Sequence, residues 1–291
     1  MYSQQIDRIN KQLLSDNIEN SLLPIPENLM ALRRLCHRLD SSIYDVELAV
    51  AKEPAFATYI LKLGNSALYS TGKAASINLL SVIQRIGMHS VSQYALTFVL
   101  KNLHEQQFVS PDIAALLQEN WRLAWDLSQQ ATQLYTQHRL SGSANVKKID
   151  ISDILLLGIL QHTGRLAVLS DFSLQYQCGF SHREEEMSKR ADLLNTRLLP
   201  LLFKHCGLPV NYAQLFTTVP DHKQPLHAMD YLFAAALLKA QEESQEKTAH
   251  YNLLLDNFNQ AAIVKIAERL SHLQIITMEA LNLESLPFTD L

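Results

Sequence analysis

Apolar residues recur at helical spacing through the first hundred residues of the chain. One helical face between positions 27 and 39 carries Leu29, Leu32, Leu35, Cys36 and Leu39. Pro26 suits the start of this helix. Further helices are predicted around 43–52, 54–64, 77–86 and 91–103. Ser41 or Ser42 can cap the first of these, and Gly64 is expected to end the second as a residue that tolerates a positive φ.

Longer helices are predicted in the second half of the chain. Ser110 and Pro111 begin one whose apolar face runs from Ile113 to Leu134. Others are expected around 151–162, 186–205, 209–217, 226–241 and 249–273, with polar connectors at 141–148 and 241–247. Since no strand pattern competes, the sequence predicts an all-α fold in which a bundle of short helices packs on a bundle of longer ones.

Composition supports this prediction and narrows the function. The chain has 291 residues, of which 47% are hydrophobic, with only 8 glycines and 9 prolines, so a large helical core is expected. Its net charge of -4 gives no general attraction to nucleic acids or anionic lipids. We therefore expect neither a nucleic-acid partner nor a membrane partner.

The cysteines and the N-terminal residues indicate the compartment. Cys36, Cys178 and Cys206 are widely spaced, which is typical of a reducing environment and of neither a disulfide framework nor a zinc knuckle. The first residues are polar and amphipathic, unlike a secretory signal, and no apolar run is long enough to span a bilayer. We expect a cytoplasmic protein.

A series of short motifs in a fixed order resembles the HDOD family. The series is LPIP at 23–26, Glu53–Pro54, ILKLGNSALYS at 60–70, VIQRIG at 82–87, LLLGILQHTGRL at 155–166 and GLP at 207–209. The most recognisable part is Asn65, Ser66 and Ala67, followed by Tyr69. These four residues are a possible interaction surface. The resemblance covers about residues 22–240 and implies a degenerate HD-like bundle in the second half.

HDOD proteins resemble inactive relatives of the HD metal-dependent phosphohydrolases. Those enzymes hold metal ions through several His and Asp side chains on neighbouring helices, leaving positions open for water and phosphate. Carried over to this chain, the ligand positions fall at Leu123, Gln161, His162, Asn195, Val219, Pro220 and Asp230. Only Asp230 keeps the family's residue type and place. The resemblance therefore implies a lost metal site, with no metal and no cofactor.

Two local features leave a metal site open as an alternative. His162 can act as a lone ligand or base, but a packing or capping role is expected for a single histidine near a helix end. His227 and Asp230, at i and i+3, can face one ion with His222 nearby. The simpler expectation for this pair is a local hydrogen bond.

Two further motifs admit a binding role and a structural role. Asn65 and Ser66 can form a binding surface, or they can bond backbone groups where a helix ends, as these residues readily do. Trp121 and Trp125 can stack on a nucleotide base, or they can pack in the core. We expect the structural role in both cases.

These observations favour a non-catalytic regulatory protein that binds a protein partner in a bacterial signalling pathway. One alternative is a metal-dependent phosphohydrolase with rearranged ligands, and the other is a module that binds a nucleotide in the emptied HD pocket. The predicted organisation is an N-terminal helical extension (1–21), an HDOD helical bundle (22–106), a degenerate HD-like bundle (107–241) and a C-terminal helix with a tail (242–291).

Overall fold

The structure is a computed structural model of the chain. It describes residues 26–70, 75–105, 110–141, 149–177, 184–206, 208, 214–221, 226–243, 254–255, 257–277 and 281. Within these ranges the regular structure consists of twelve α-helices with no strand, so the predicted all-α class is confirmed. No helix in the same ranges is long and apolar enough to span a membrane.

Six helices form the N-terminal half. They are α1 (Glu27–His37), α2 (Ile43–Ala51), α3 (Pro54–Gly64), α4 (Ala67–Ser70), α5 (Leu79–Ile86) and α6 (Met88–His104). Six helices follow, and several of them are longer. They are α7 (Pro111–Leu140), α8 (Ile151–Leu160), α9 (Thr163–Gln177), α10 (Glu184–His205), α11 (Ala228–Glu243) and α12 (Gln260–His272).

Side-chain caps fix where several of these helices begin. Ser42 and Asp45 form a capping box at the start of α2, each side chain accepting the backbone N–H of the other residue. Asn78, Asp150 and Asn259 cap α5, α8 and α12 by accepting a backbone N–H of the first turn. These polar residues therefore set helix boundaries that apolar spacing alone does not define.

Two apolar residues that fall within predicted helices are instead exposed. Leu39 has a relative exposure of 107% and Ile77 one of 96%. The reason is that α1 ends at His37 and α5 begins at Leu79, so neither residue belongs to a helix.

Some predicted helix boundaries also differ from the structure. The helix expected at 249–273 begins only at Gln260, after the Asn259 cap. Of the helix expected at 209–217, the structure describes residues 214–217, where 214–216 form a short 3-10 turn. Residues 209–213 lie outside the described ranges.

One apolar core extends through both halves of the chain. Helix α6 packs against α1 on one side and against α8 on the other. Arg33 of α1 is buried and donates a hydrogen bond to the carbonyl of Cys206, which follows α10. Buried side chains from Leu29 to Leu281 belong to a single cluster. The segment boundaries at 106 and 241 stay predictions.

Gly64 is required by packing rather than by its backbone angles. The described glycine with a positive φ is Gly87, at 90°. A Cβ built on Gly64 lies 2.4 Å from Cγ1 of Val82, far inside van der Waals contact. The absence of a side chain therefore allows α3 and α5 to approach closely.

We expect Gly64→Ala to destabilise the protein by about 1–3 kcal/mol, because the added methyl overpacks the contact between α3 and α5. Val82→Ala removes the opposing methyl, so the double variant should lose less stability than the sum of the two single variants. Urea unfolding of the four proteins measures this coupling. Strictly additive losses would contradict the proposed contact.

Candidate functional site

The segment from Leu157 to Leu169 contains the end of α8, a short turn and the start of α9. Helix α8 ends at Leu160, Gln161 is its C-cap, and α9 begins at Thr163. The sequence predicts a continuous helix to position 162, so this boundary was wrong by two residues. Every residue from 154 to 169 is buried. The site expected at Gln161 and His162 therefore lies inside the protein.

His162 is held in a chain of buried hydrogen bonds. Its Nδ1 lies 3.1 Å from Oδ1 of Asn120, whose Nδ2 lies 2.9 Å from Nε2 of His104. His104 Nδ1 in turn faces the carbonyl of Leu100 at 2.7 Å. Burial lowers the pKa of His104 to about 4, so it is neutral at physiological pH and can accept from the Asn120 amide. His162 is thus buried and bonded to Asn120, and its role as a packing group stays a prediction.

Asn195 joins α10 to the turn between α8 and α9. Its Nδ2 donates to the carbonyl of Gln161 at 2.7 Å, and its Oδ1 accepts the backbone N–H of Arg165 at 2.8 Å. A Cβ built on Gly164 would lie 2.1 Å from the backbone oxygen of Asn195. Gly164 therefore lets α10 pack directly on the turn, and both ends of the Asn195 amide serve this contact.

Asp230, the family-type residue that remains, forms a buried ion pair. Arg269 of α12 donates from Nε to Asp230 Oδ1 at 2.7 Å and from Nη2 to Oδ2 at 2.9 Å. Both side chains are at most 2% exposed. Arg269 also donates to the carbonyl of Asp221. The guanidinium thus neutralises the carboxylate in a two-pronged geometry.

His227 is brought next to Asp230 by a local contact. The backbone N–H of His227 donates to Asp230 Oδ2 at 2.8 Å, and its Nδ1 accepts from the N–H of Met229 at 3.3 Å. The expected local hydrogen bond is confirmed, although the backbone of His227 makes it. His222, the third group of this alternative, lies outside the described residues.

The residues at the HD positions do not fit a metal ion. Leu123 is buried and has no donor atom, and the side chains of Val219 and Pro220 have none either. Gln161 offers a single neutral amide oxygen, which is a weak ligand without a carboxylate beside it. In the described part of the chain, no group of three or more His, Cys, Asp or Glu side chains lies close enough to hold a metal ion.

The family motif at 65–69 shapes the end of α3. Asn65 makes two hydrogen bonds of 2.8 Å to the backbone of Ser76, donating from Nδ2 and accepting at Oδ1. Ser66 Oγ donates to the carbonyl of Leu63 at 2.6 Å. The backbone hydrogen bonds expected for these residues are therefore present.

The rest of the motif lies beside this hydrogen-bonded turn. Ala67 begins α4, and the hydroxyl of Tyr69 lies 2.8 Å from that of buried Tyr94 in α6. A role of the motif as an interaction surface stays a prediction.

The two tryptophans pack on the protein itself. The Trp121 and Trp125 rings stack with their centroids 5.7 Å apart and an interplanar angle of 19°. The ring centroid of His104 lies 5.5 Å from that of Trp121. Both tryptophans are partly buried against the core.

A polar cluster that the sequence reasoning missed joins α6 to α8. Asp153 accepts from Nε2 of His89 at 2.9 Å and from Nε2 of Gln93 at 2.8 Å. The ring of His37 lies 6.0 Å from that of His89 in an edge arrangement. The members come from distant positions, so no local spacing announces the cluster.

The contact between His89 and Asp153 shifts the pKa of both groups. The hydrogen bond to Asp153 raises the pKa of His89, against the effect of burial. Burial raises the pKa of Asp153, but the hydrogen bonds from His89 and Gln93 outweigh it and leave that pKa below its usual value. Burial and then the neighbouring His89 lower the pKa of His37.

Arg269 is the second group that the sequence reasoning missed. It lies on the buried face of α12 with Ile263, Ile266, Ala267 and Leu270. A single cation among these apolar residues was the available signal, since a buried arginine requires a partner.

Comparisons with known proteins were made for the whole chain. The HDOD domain model matches residues 22–206, and no curated protein matches. A solved structure of a proposed metal-dependent phosphohydrolase from Shewanella amazonensis SB2B is similar with a TM-score of 0.66 and 18% identity. The match covers 93% of this chain and 98% of that one. At this identity the likeness shows the fold alone, and it confirms the HD-like helical architecture.

Two other solved structures are less similar. A proposed phosphohydrolase from the same organism has a TM-score of 0.46 at 18% identity, over 92% of this chain and 96% of its own. A proposed signal transduction protein from Marinobacter aquaeolei VT8 has a TM-score of 0.45 at 17% identity. This match covers 89% of this chain and 59% of that one.

We expect Arg269→Met to destabilise the protein by about 3–5 kcal/mol, because it leaves the Asp230 carboxylate buried without its counter-charge. Adding Asp230→Leu removes that charge and should restore most of the loss. Lys265→Met, an exposed cation replaced on the same helix, is the control and should change little. Urea unfolding gives all four values. A double variant no more stable than Arg269→Met would contradict this account.

The His89–Asp153 contact predicts a pH-dependent stability. Because the folded pKa of His89 is raised, its contribution is complete below its unfolded pKa and is lost as pH rises through the folded value. The lowered pKa of Asp153 keeps its carboxylate charged well below pH 6. His89→Gln should therefore reduce the urea midpoint more at pH 6 than at pH 8.5.

Asp153→Asn supplies the control for this prediction. In its background, the loss of midpoint caused by His89→Gln should no longer be larger at pH 6 than at pH 8.5. The main group that raises the His89 pKa is then gone, and burial opposes the weaker effect of Asp150. An unchanged excess at pH 6 without Asp153 would assign the titration to another group.

Proposed function

Because the chain belongs to the HDOD family, we propose that it is a non-catalytic regulatory protein that binds a protein partner in a bacterial signalling pathway. The observation that carries this proposal is the ion pair between Asp230 and Arg269. Both oxygens of the remaining HD-type carboxylate are engaged by one guanidinium. A metal ion at this carboxylate would have to displace a fixed positive charge.

The other HD positions support the same proposal through the contacts they make. His162 is engaged with Asn120, and both ends of the Asn195 amide are bonded to the backbone of the turn. Metal ligands need lone pairs that point at a shared point in space. These side chains direct their polar atoms toward the protein instead, so they stabilise the bundle.

Exposed apolar side chains on the N-terminal half support a protein partner. Tyr44 and Leu48 lie one turn apart on α2 with exposures of 60% and 63%, and Leu39 and Ile77 are exposed in the same half. Apolar and aromatic side chains in the centre of an interface provide much of its affinity. We assign the partner-binding surface to α2 and to Leu39, four residues before the helix begins. A change in exposure of this surface then transmits the signal.

Two measurements on purified, tag-free protein test whether the chain is non-catalytic. One is its metal content, and the other is its hydrolysis of a generic phosphoester with added Mn²⁺. We expect substoichiometric metal and no turnover that a chelator abolishes. His227 is exposed and lies next to Asp230, so His227→Gln serves as the diagnostic variant. Stoichiometric metal with turnover that this variant abolishes would establish the phosphohydrolase alternative instead.

Capture from a bacterial lysate tests the binding half. A partner should be retained by the wild-type chain and lost with a Tyr44→Ser, Leu48→Ser double variant. Leu140→Ser and Leu193→Ser, exposed apolar residues on α7 and α10, are matched controls that should keep the partner. Retention by the α2 double variant would overturn the assignment of this surface.

A further inference from the structure

A cavity of about 240 Å³ lies where α6 meets α8 and the start of α11. Its polar lining includes Gln93, Asp150, Asp153 and His227, and its apolar wall includes three leucines of α8, Leu156, Leu157 and Leu160. None of the HD positions lines it. The cavity therefore borders the HD positions without including them, since His227 is bonded to Asp230 and Leu160 precedes Gln161.

Gln93 belongs to the cavity lining and carries a buried acceptor without a partner. The residue is 6% exposed, and its Nε2 is committed to Asp153 at 2.8 Å. Its Oε1 lies below the accessible surface and has no hydrogen-bond partner. An unpaired buried amide oxygen is unfavourable, so a rearrangement of this side chain that pairs it with a donor in the cavity is favoured.

The remaining polar groups make the cavity acceptor-rich and acidic. Asp150 accepts from Ser152 and Ser90, and Asp153 accepts from His89 and Gln93. None of the described lining residues is a lysine or an arginine. His89 and His227 face Asp153, and each carries a positive charge only when it is protonated. This electrostatics repels phosphate and carboxylate groups and attracts a cation.

We propose that the cavity binds a small organic ammonium ion with an apolar body. The ammonium donates to the Asp153 carboxylate, and the Gln93 side chain turns to offer its unpaired Oε1 as a second acceptor. The apolar body lies against the leucines of α8. A volume of about 240 Å³ lies just below the range of sites for drug-sized ligands and therefore suits a smaller one. Sites of this kind combine an apolar wall with a few fixed polar groups.

Binding here connects the two halves of the chain, because Gln93 belongs to α6 and Asp153 to α8. A bound cation adds a contact to each. The site can thus provide an input for a regulatory protein, although its binding chemistry does not depend on that role and is measured without any partner.

Calorimetric titration of the full chain with three probes of similar size tests the proposal. Benzylammonium should bind at least about tenfold more tightly than benzyl alcohol, the gain typical of a charged hydrogen bond. Benzoate should not bind detectably. Equal binding of alcohol and ammonium, binding of benzoate, or no ammonium binding at millimolar concentration would overturn the proposal on wild-type protein alone.

Two variants then locate the site. Asp153→Asn and Gln93→Met should each weaken benzylammonium binding about tenfold or more. Asp126→Asn, a carboxylate on α7 paired with Arg122, is the isosteric control and should leave the affinity unchanged. Circular dichroism melting identifies any variant that fails to fold. Unchanged affinity in a folded Asp153→Asn or Gln93→Met protein would place the ammonium elsewhere.

Discussion

The need to satisfy buried polar groups determines how the second half of this protein is built. A carboxylate inside a protein is tolerated only with a counter-charge or several donors. Asp230 obtains both from Arg269 of α12, and both residues lie beyond the segment matched by the family model. The last described helix is therefore held to the bundle by an ion pair as well as by its apolar face.

The same constraint explains two histidine environments with opposite electrostatics. His104 is enclosed, faces a neutral amide and a carbonyl, and has a strongly lowered pKa. His89 is half-exposed, faces a carboxylate, and has a raised pKa. The first belongs to a rigid hydrogen-bond chain that ends at His162. The second joins two helices through a contact that changes with protonation.

Much of the fold could be predicted because it depends on local signals. Apolar spacing predicts the helices, and Ser42 was one of two expected caps for α2. The predicted helices wrongly included Leu39 and Ile77, because apolar spacing continues past the helix ends that caps and turns determine. Gly64 was misinterpreted because its neighbour Val82 is known only once α3 and α5 are packed. The ion pair of Arg269 and the cluster at Asp153 bring together distant residues, which no local pattern describes.

The order of Asp230 and Arg269 along the chain has a consequence for biosynthesis. A ribosome delivers Asp230 before it delivers α12, so the nascent bundle contains a carboxylate whose counter-charge has not yet been translated. Burying that carboxylate before Arg269 has emerged is unfavourable, so stable docking of α11 is expected to follow the synthesis of α12. A product that stops between the two residues would retain this unneutralised charge.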